Sequence, residues 1–212
     1  MQSEAVALIA DIVGSRALAD RDGAQERTLD AFRQAEERWR PDVPAYATVG
    51  DEFQAVCGSV EQAIFSTTVL LLLLPDELEL RFGLGVGDDR VLEASGAAGT
   101  IRDGSAWWRA RDAIDAVKRA ERSGRSQTRT GFVHDGGTDE QRIRGLLLLR
   151  DHIVVGMRPR DRRIALAGLD EVPQATTAAS EGIGQSAVSQ SWHRSGAVSI
   201  VEMLRGLKGE SS

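Results

Sequence analysis

The sequence predicts an α+β chain: a ferredoxin-like βαββαβ unit followed by an all-helical tail. Three observations lead there. Near-continuous apolar runs alternate with stretches of helical spacing as far as residue 134. The turn Gly50-Asp51-Glu52 splits two short apolar runs into a hairpin. Beyond Gly136-Gly137 strand signals stop and short helical patterns take over, which predicts two units, 1–137 and 138–212.

Residues Ala5–Ala10, AVALIA, form an apolar run ending at Asp11, as expected of a strand buried on both faces. After the loop VGSR, a helix is expected from about Gly23 to Arg40, with Leu29, Phe32, Ala35 and Trp39 on one stripe and Pro41 just past its end. Ala45–Val49 and Phe53–Cys57 make the hairpin. Ser59 reads as an N-cap with Gln62 three residues on, and Val60, Ala63, Ile64, Thr67, Leu70, Leu71 and Leu74 mark one apolar face up to Pro75. Leu78–Val86 alternates as a strand punctuated by Gly83, Gly85 and Gly87. A Gly/Ala-rich loop (94–100), a helix from about Gly104 to Arg122 and a strand near Thr130–His134 complete the first unit. In the tail, Glu140–Met157 and Arg162–Leu169 read as helices. Three more are expected between Thr176 and Leu207, separated by Gly182-Ile183-Gly184 and Ser195-Gly196.

Composition narrows the function classes. The chain has 212 residues, 42% apolar and 27% charged, with a formal charge of −6, which is ordinary for a globular protein with a real core. Its one cysteine, Cys57, lies in an apolar stretch; a disulfide scaffold is excluded, and a reducing, cytoplasmic setting is expected. The apolar run Val69–Leu74 is far short of the roughly 20 residues of a membrane span, and no basic leader precedes the first apolar segment. No membrane partner is expected. Charge is uneven: residues 1–135 carry 16 basic and 23 acidic groups, residues 136–212 carry 10 and 9. Seven arginines (142, 144, 150, 158, 160, 162 and 163) crowd the start of the second region. They read either as contacts to an anionic partner or as a solvated helix face paired with acids.

Two aspartates carry the chemistry. In the predicted sheet the first and third strands are adjacent and antiparallel, so Asp11, ending one, lies beside Asp51, opening the other. Neighbouring strands are about 5 Å apart, within reach of one divalent ion. Like charges at that distance raise one another's pKa, and Mg²⁺ or Mn²⁺, which prefer oxygen ligands and accept substrate phosphates, would relieve the repulsion. The loop Val13-Gly14-Ser15-Arg16 adds backbone N–H groups and a cation that could cradle a triphosphate, with Gly50 and Glu52 flanking the metal in the same candidate nucleotide site. Capping by Asp11 and turn formation by Asp51 is the plainer use of both residues. Trp107 and Trp108 point about 100° apart on a helix; one is expected in the core, the other against a base or a second copy. The three histidines are scattered, so no zinc site is expected, and His152 reads as a core residue.

Residues 176–196 have the spacing of a helix-turn-helix. Ala178 is the small residue at the helix crossing, Gly182 lies in the turn, Ile183 follows, and Val188 starts the inward face of the next helix. Glu181 stands where such motifs usually carry leucine. Gln185, Ser186, Ser189, Gln190, His193 and Arg194 would face DNA, the polar groups on base edges and Arg194 on phosphate or guanine. A homodimer would double these contacts and offset the small charge of this half.

These residues resemble known families. ADIVGSRAL (10–18) resembles the strand-and-loop motif of class III nucleotidyl cyclases, and TVGDEFQAV (48–56) resembles their metal-bearing hairpin. The hairpin is also similar to the GGDEF signature of diguanylate cyclases, with Val49 in place of its first glycine. RFGLGVG (81–87) is similar to the cyclases' next core strand. Taken together, ADIVGSR, VGDEFQ, DGSAWWRARDAI (103–114) and the helix-turn-helix resemble the bacterial SatD family over nearly the full length. The resemblance implies a palm-like cyclase fold, with Asp11 and Asp51 as the metal carboxylates and the Ile12 carbonyl as a further ligand. The chain departs from adenylate-type cyclases at Ala47, where they carry a base-recognising lysine. It departs again at SAWWRARDA, where they carry an asparagine and an arginine four residues apart, so that Arg109 or Arg111 would have to substitute. It also lacks, on its first helix, the asparagine and aspartate with which diguanylate cyclases hold guanine.

The leading expectation is a regulator in which a metal-dependent nucleotide-binding domain controls a DNA-binding tail. An active nucleotidyl cyclase or transferase, and a degenerate domain kept for dimerisation, are the alternatives.

Overall fold

The computed structural model describes residues 4–48, 50–92, 101–125, 127–135 and 137–209; Val49 of the hairpin, the loop 94–100 and the Arg16 side chain lie outside the described residues. The central strand β1 (Ala5–Ile12) pairs antiparallel with both β3 (Glu52–Cys57) and β4 (Leu80–Gly87). With β2 (Val43–Ala47) outside β3 and β7 (Thr130–Val133) parallel to β4, the five-stranded order is β2-β3-β1-β4-β7. This is the expected α+β, ferredoxin-like arrangement, extended by one parallel strand.

Strand β1 is buried on both faces because its side chains alternate between two cores. Val6, Leu8, Ala10 and Ile12 join Phe53, Phe82 and Leu84 under α1 (Arg21–Arg38) and α2 (Val60–Leu73). Ala7 and Ile9 face α3 (Ser105–Arg122) across Ala106, Trp107, Ala110 and Ile114. The glycines of β4 now have a reason. A Cβ on Gly83 or Gly85 would stand 2.1 or 2.2 Å from the carbonyl oxygens of Ala110 or Ala106, so only glycine lets α3 lie directly on the sheet. Between them the residues Phe82, Leu84 and Val86 fill the opposite core.

Helix α1 begins at Arg21, ahead of the expected Gly23, because the Asp20 side chain caps it by accepting from the Gly23 N–H at 2.9 Å. Ser59 caps α2 as expected, but Gln62 closes on the Gly58 N–H at 2.8 Å instead of the cap residue's own. The single apolar face predicted for α2 is a correction. Every residue from Gln62 to Leu72 is buried, because α2 lies between the sheet and the helical tail. Its leucine run serves two packing surfaces.

The tail comprises α4 (Thr138–Val155), α5 (Pro159–Leu169), α6 (Gln174–Glu181), α7 (Gln185–Arg194) and α8 (Ala197–Lys208). Leu147, Val154, Ala165, Ile200 and Leu204 share the core of α2 and the sheet, so apolar packing continues past residue 137. Helix α4 also closes the outer edge of β7. Asp151 accepts from the backbone N–H groups of Arg129 and Thr130, both at 2.7 Å, and Glu140 accepts from His134 at 2.8 Å. Carboxylates thus occupy edge donors that would otherwise invite another strand.

Beside Asp151 lies Arg150, whose side chain is fully buried at 2.9 Å from the Asp151 carboxylate. It donates to the Thr67, Thr68 and Thr130 hydroxyls at 3.2, 2.6 and 2.7 Å. This pins α4 to α2 and β7 at once. His152, expected in the core, is instead exposed and hydrogen-bonds Gln127; the helix turns Asp151, one residue earlier, inward. A short arm, β5 (Arg90–Leu92) paired with β6 (Ile101–Asp103), leads into α3. No helix among the described residues is long and apolar enough to cross a membrane.

Candidate functional site

The antiparallel register places Asp11 opposite Glu52, with Asp51 next along the turn. Gly14 and Gly50, at φ 66° and 88°, shape the two loops that meet there, a backbone region that favours glycine. After Gly14 a single 3₁₀ turn, Ser15–Ala17, aims the Ser15 hydroxyl at Asp51, to which it donates. The Ile12 N–H donates to the Asp51 carbonyl at 3.4 Å. A cleft of about 270 Å³ opens beside these groups, lined by Ile12, Ser15, Arg21, Gln25, Gly50 and Asp51. That is slightly below the usual range for ligand pockets, roughly 300–1,000 Å³.

The carboxylates of Asp11 and Asp51 lie close enough to influence each other. Burial pushes Asp11 above the usual carboxylate range; Lys118 and Arg81 pull against it, and the charge of Asp51 adds to the rise. Burial also pushes Asp51 upward, but hydrogen bonds from Ser15, its own backbone and Asp11 outweigh it, with help from Arg21, and leave it below the usual range. The two neighbouring carboxylates are thus pushed in opposite directions.

Two cations that sequence reasoning missed sit on Asp11. Lys118 of α3 lies 3.1 Å and Arg81 of β4 3.3 Å from the same oxygen, Oδ2, and Arg81 also bonds Glu121 at 2.9 Å. Arg81 had a signal: in an antiparallel sheet it stands directly opposite Asp11. Lys118 had none, since only the packing of α3 brings it there.

Other predicted site residues divide. Ser15, Gly50 and Ile12 line the cleft. The Val13 N–H, expected in the phosphate cradle, bonds the Glu79 carbonyl at 2.8 Å. Glu52 is turned toward α3, where Arg111 grips both its oxygens at 2.5 and 2.8 Å. Arg109 donates to the Val86 carbonyl. Trp107 is buried with its Nε1 donating to Asp89 at 2.9 Å, whereas Trp108 is 63% exposed and bonds Asp103 at 3.0 Å. Among the described residues no group of three or more His, Cys, Asp or Glu side chains could hold a metal. A cavity of about 820 Å³ between α3, β7 and α4 is lined by neither Asp11 nor Asp51.

In the tail, α6 and α7 join through Gly182 at φ 64°, and Ala178, Ile183 and Val188 pack on Ile164 and Trp192. Glu181, at the position where leucine is usual, is held by Arg163 through both oxygens at 2.8 and 2.7 Å. Gln185, Ser186, Gln190, His193 and Arg194 are exposed and Ser189 is half-buried. Most of the arginine cluster is tied down: Arg142 to Asp139, Arg144 to Glu140, Arg158 to Asp161 and Arg162 to Asp76.

No curated protein sequence matches the chain. Among solved structures, adenylate cyclases from Trypanosoma brucei in their monomeric state are similar at 17% identity and a TM-score of 0.42, covering 55% of this chain and 70% of theirs. The dimeric guanylyl cyclase domain of the RhoGC fusion protein from the aquatic fungus Blastocladiella emersonii is similar at 17% identity and 0.42, covering 53% and 74%. The catalytic core of a rhodopsin-guanylyl cyclase with converted specificity, in complex with ATPαS, is similar at 18% and 0.41, covering 53% and 72%. The family model of the SatD family matches residues 5–155, well over half of the sequence. With β1, both carboxylate loops, α3 and α4 all inside that match, the chain belongs to the SatD family.

Proposed function

We propose that this chain binds a nucleoside triphosphate with Mg²⁺ or Mn²⁺ at the Asp11–Asp51 end of the sheet, and that occupancy controls a DNA-binding tail. The observation that carries the reading is the meeting of two carboxylates beside a glycine-shaped loop, with Lys118 and Arg81 at hand. Two carboxylates without a third acidic or imidazole ligand suit a cation that arrives with phosphates. Mg²⁺ in particular keeps waters and substrate oxygens in its shell and needs only one or two protein carboxylates. Such a cation would neutralise phosphate charge there. Ser15 orients Asp51, the Ile12 carbonyl is a further candidate oxygen, and Lys118 would exchange its carboxylate partner for phosphate.

Binding is favoured over cyclisation because the two arginines that would substitute for the cyclase helix pair are engaged elsewhere, Arg109 on Val86 and Arg111 on Glu52. A physical link to the tail also exists. Val13 bonds the Glu79 carbonyl, the Glu79 carboxylate pairs with Arg129 at 2.6 Å, and the Arg129 N–H bonds Asp151 of α4. A ligand shifts the tail only insofar as it binds its two arrangements unequally. Val91, Leu92 and Ile101 of the β5–β6 arm, exposed like Trp108, supply an apolar face for the second copy of a homodimer.

The test is thermal unfolding with Mn²⁺ and each ribonucleoside triphosphate. At a hundredfold excess over Kd, binding adds about 2.7 kcal/mol, a rise of several degrees in Tm, with one triphosphate plus metal and not with either alone. Asp51→Ala is expected to abolish the rise. A wild-type Tm indifferent to all four contradicts the proposal, and release of a cyclic nucleotide assigns an enzyme.

A further inference from the structure

The sequence singles out two features of the tail separately: the arginines around 158–163 and the exposed face of α7. The structure joins them. A cleft of about 430 Å³ lies between the first turn of α5 and the second half of α7, lined by Arg158, Arg160, Gln190, Ser191 and Arg194. Asp161, only 4% exposed, fastens its walls. Its carboxylate accepts from the Ser191 hydroxyl of α7 and from the Arg158 Nε at 2.9 Å, and these bonds hold its pKa down against its burial. Asp161 therefore balances Arg158, and Arg160 and Arg194 bring two further positive charges to one cleft of a chain whose formal charge is −6.

Resting on the DNA-binding reading above, we infer that this cleft holds backbone phosphates of duplex DNA, with Arg160 and Arg194 as the phosphate-binding side chains. Two observations select this occupant. The cleft is positive while the chain is acidic overall. Gln190 lines it, and Gln185, Ser186 and His193 of the same helix are likewise exposed polar side chains that suit base edges, as phosphate contacts set register beside a groove-reading helix. The proposal divides the labour: Arg160 of α5 and Arg194 of α7 position, and the exposed polar side chains of α7 read.

The test is the salt dependence of binding to a fluorescent mixed-sequence duplex, measured by anisotropy on the full chain from about 50 to 200 mM salt. Each neutralised phosphate contributes about 0.9 to the slope of log K against log salt. The double variant Arg160→Ala/Arg194→Ala is expected to flatten the slope by about 1.8. Arg142→Ala, outside the cleft, should leave it in place. Unchanged helical circular dichroism checks the fold, and glutamine replaces alanine at both positions if the first variant fails to fold. Wild-type binding with an unaltered slope in the double variant overturns the cleft while leaving DNA binding standing. No wild-type binding at the lowest salt overturns both.

Discussion

Two aspartates in this protein each face an arginine, and they behave as opposites. Asp151 is completely buried, and Arg150, two backbone N–H groups and the Thr130 hydroxyl surround its carboxylate. Asp11 sits at a strand end, shares one oxygen between Lys118 and Arg81, and confronts a second carboxylate. The first is a closed arrangement that ties three elements together. The second sets a like charge and two cations around one carboxylate, and under the proposed function those cations are partners that can be exchanged.

The largest expected effect separates the two centres by stability. Arg150→Ala leaves Asp151 without its buried counter-charge and should cost about 3–5 kcal/mol, measured by urea unfolding. Lys118→Ala removes a cation whose side chain is 28% exposed and leaves Arg81 on Asp11, and should cost about 1 kcal/mol. Equal costs would break the distinction between a structural and an exchangeable pair.

A smaller effect sharpens it through pH. The Asp11 pKa is raised in the folded state, so the native protein holds that proton more tightly than the unfolded chain. Its contribution favours folding at low pH and is lost as pH rises from the unfolded value through the folded one. Asp51, lowered, contributes with the opposite sign: its stabilisation is present above the unfolded value and lost as pH falls. Asp11→Asn should therefore remove the Asp11 component, gaining stability relative to wild type as pH rises from about 4 toward neutrality. A difference that shrinks over that range would show that Lys118 and Arg81 outweigh burial.

Much of this was legible in the sequence, and the division is physical. Local and pairwise signals were readable: the apolar run of β1, the Ser59 cap, the hairpin at Gly50, and through strand adjacency the approach of Asp11 to Asp51. What escaped depends on packing between distant elements. The alternating glycines of β4 mark a close helix, but not that α3 covers the opposite face from α1 and α2. The leucines of α2 read as one face because the tail that covers the other is remote in sequence. Arg150 reads only as one member of an arginine cluster, apolar neighbours point to an inward His152, and Lys118 meets Asp11 only through the position of α3.

The central claim is that Asp11 and Asp51 together hold a divalent cation delivered with a triphosphate. Electron paramagnetic resonance of Mn²⁺ measures this directly, because the free-ion signal falls as the ion is bound. The account predicts that the 212-residue chain depletes free Mn²⁺ beyond what the nucleotide alone does, with one bound ion per site, and that Asp51→Ala abolishes the excess. Equal depletion by wild type and Asp51→Ala would contradict it.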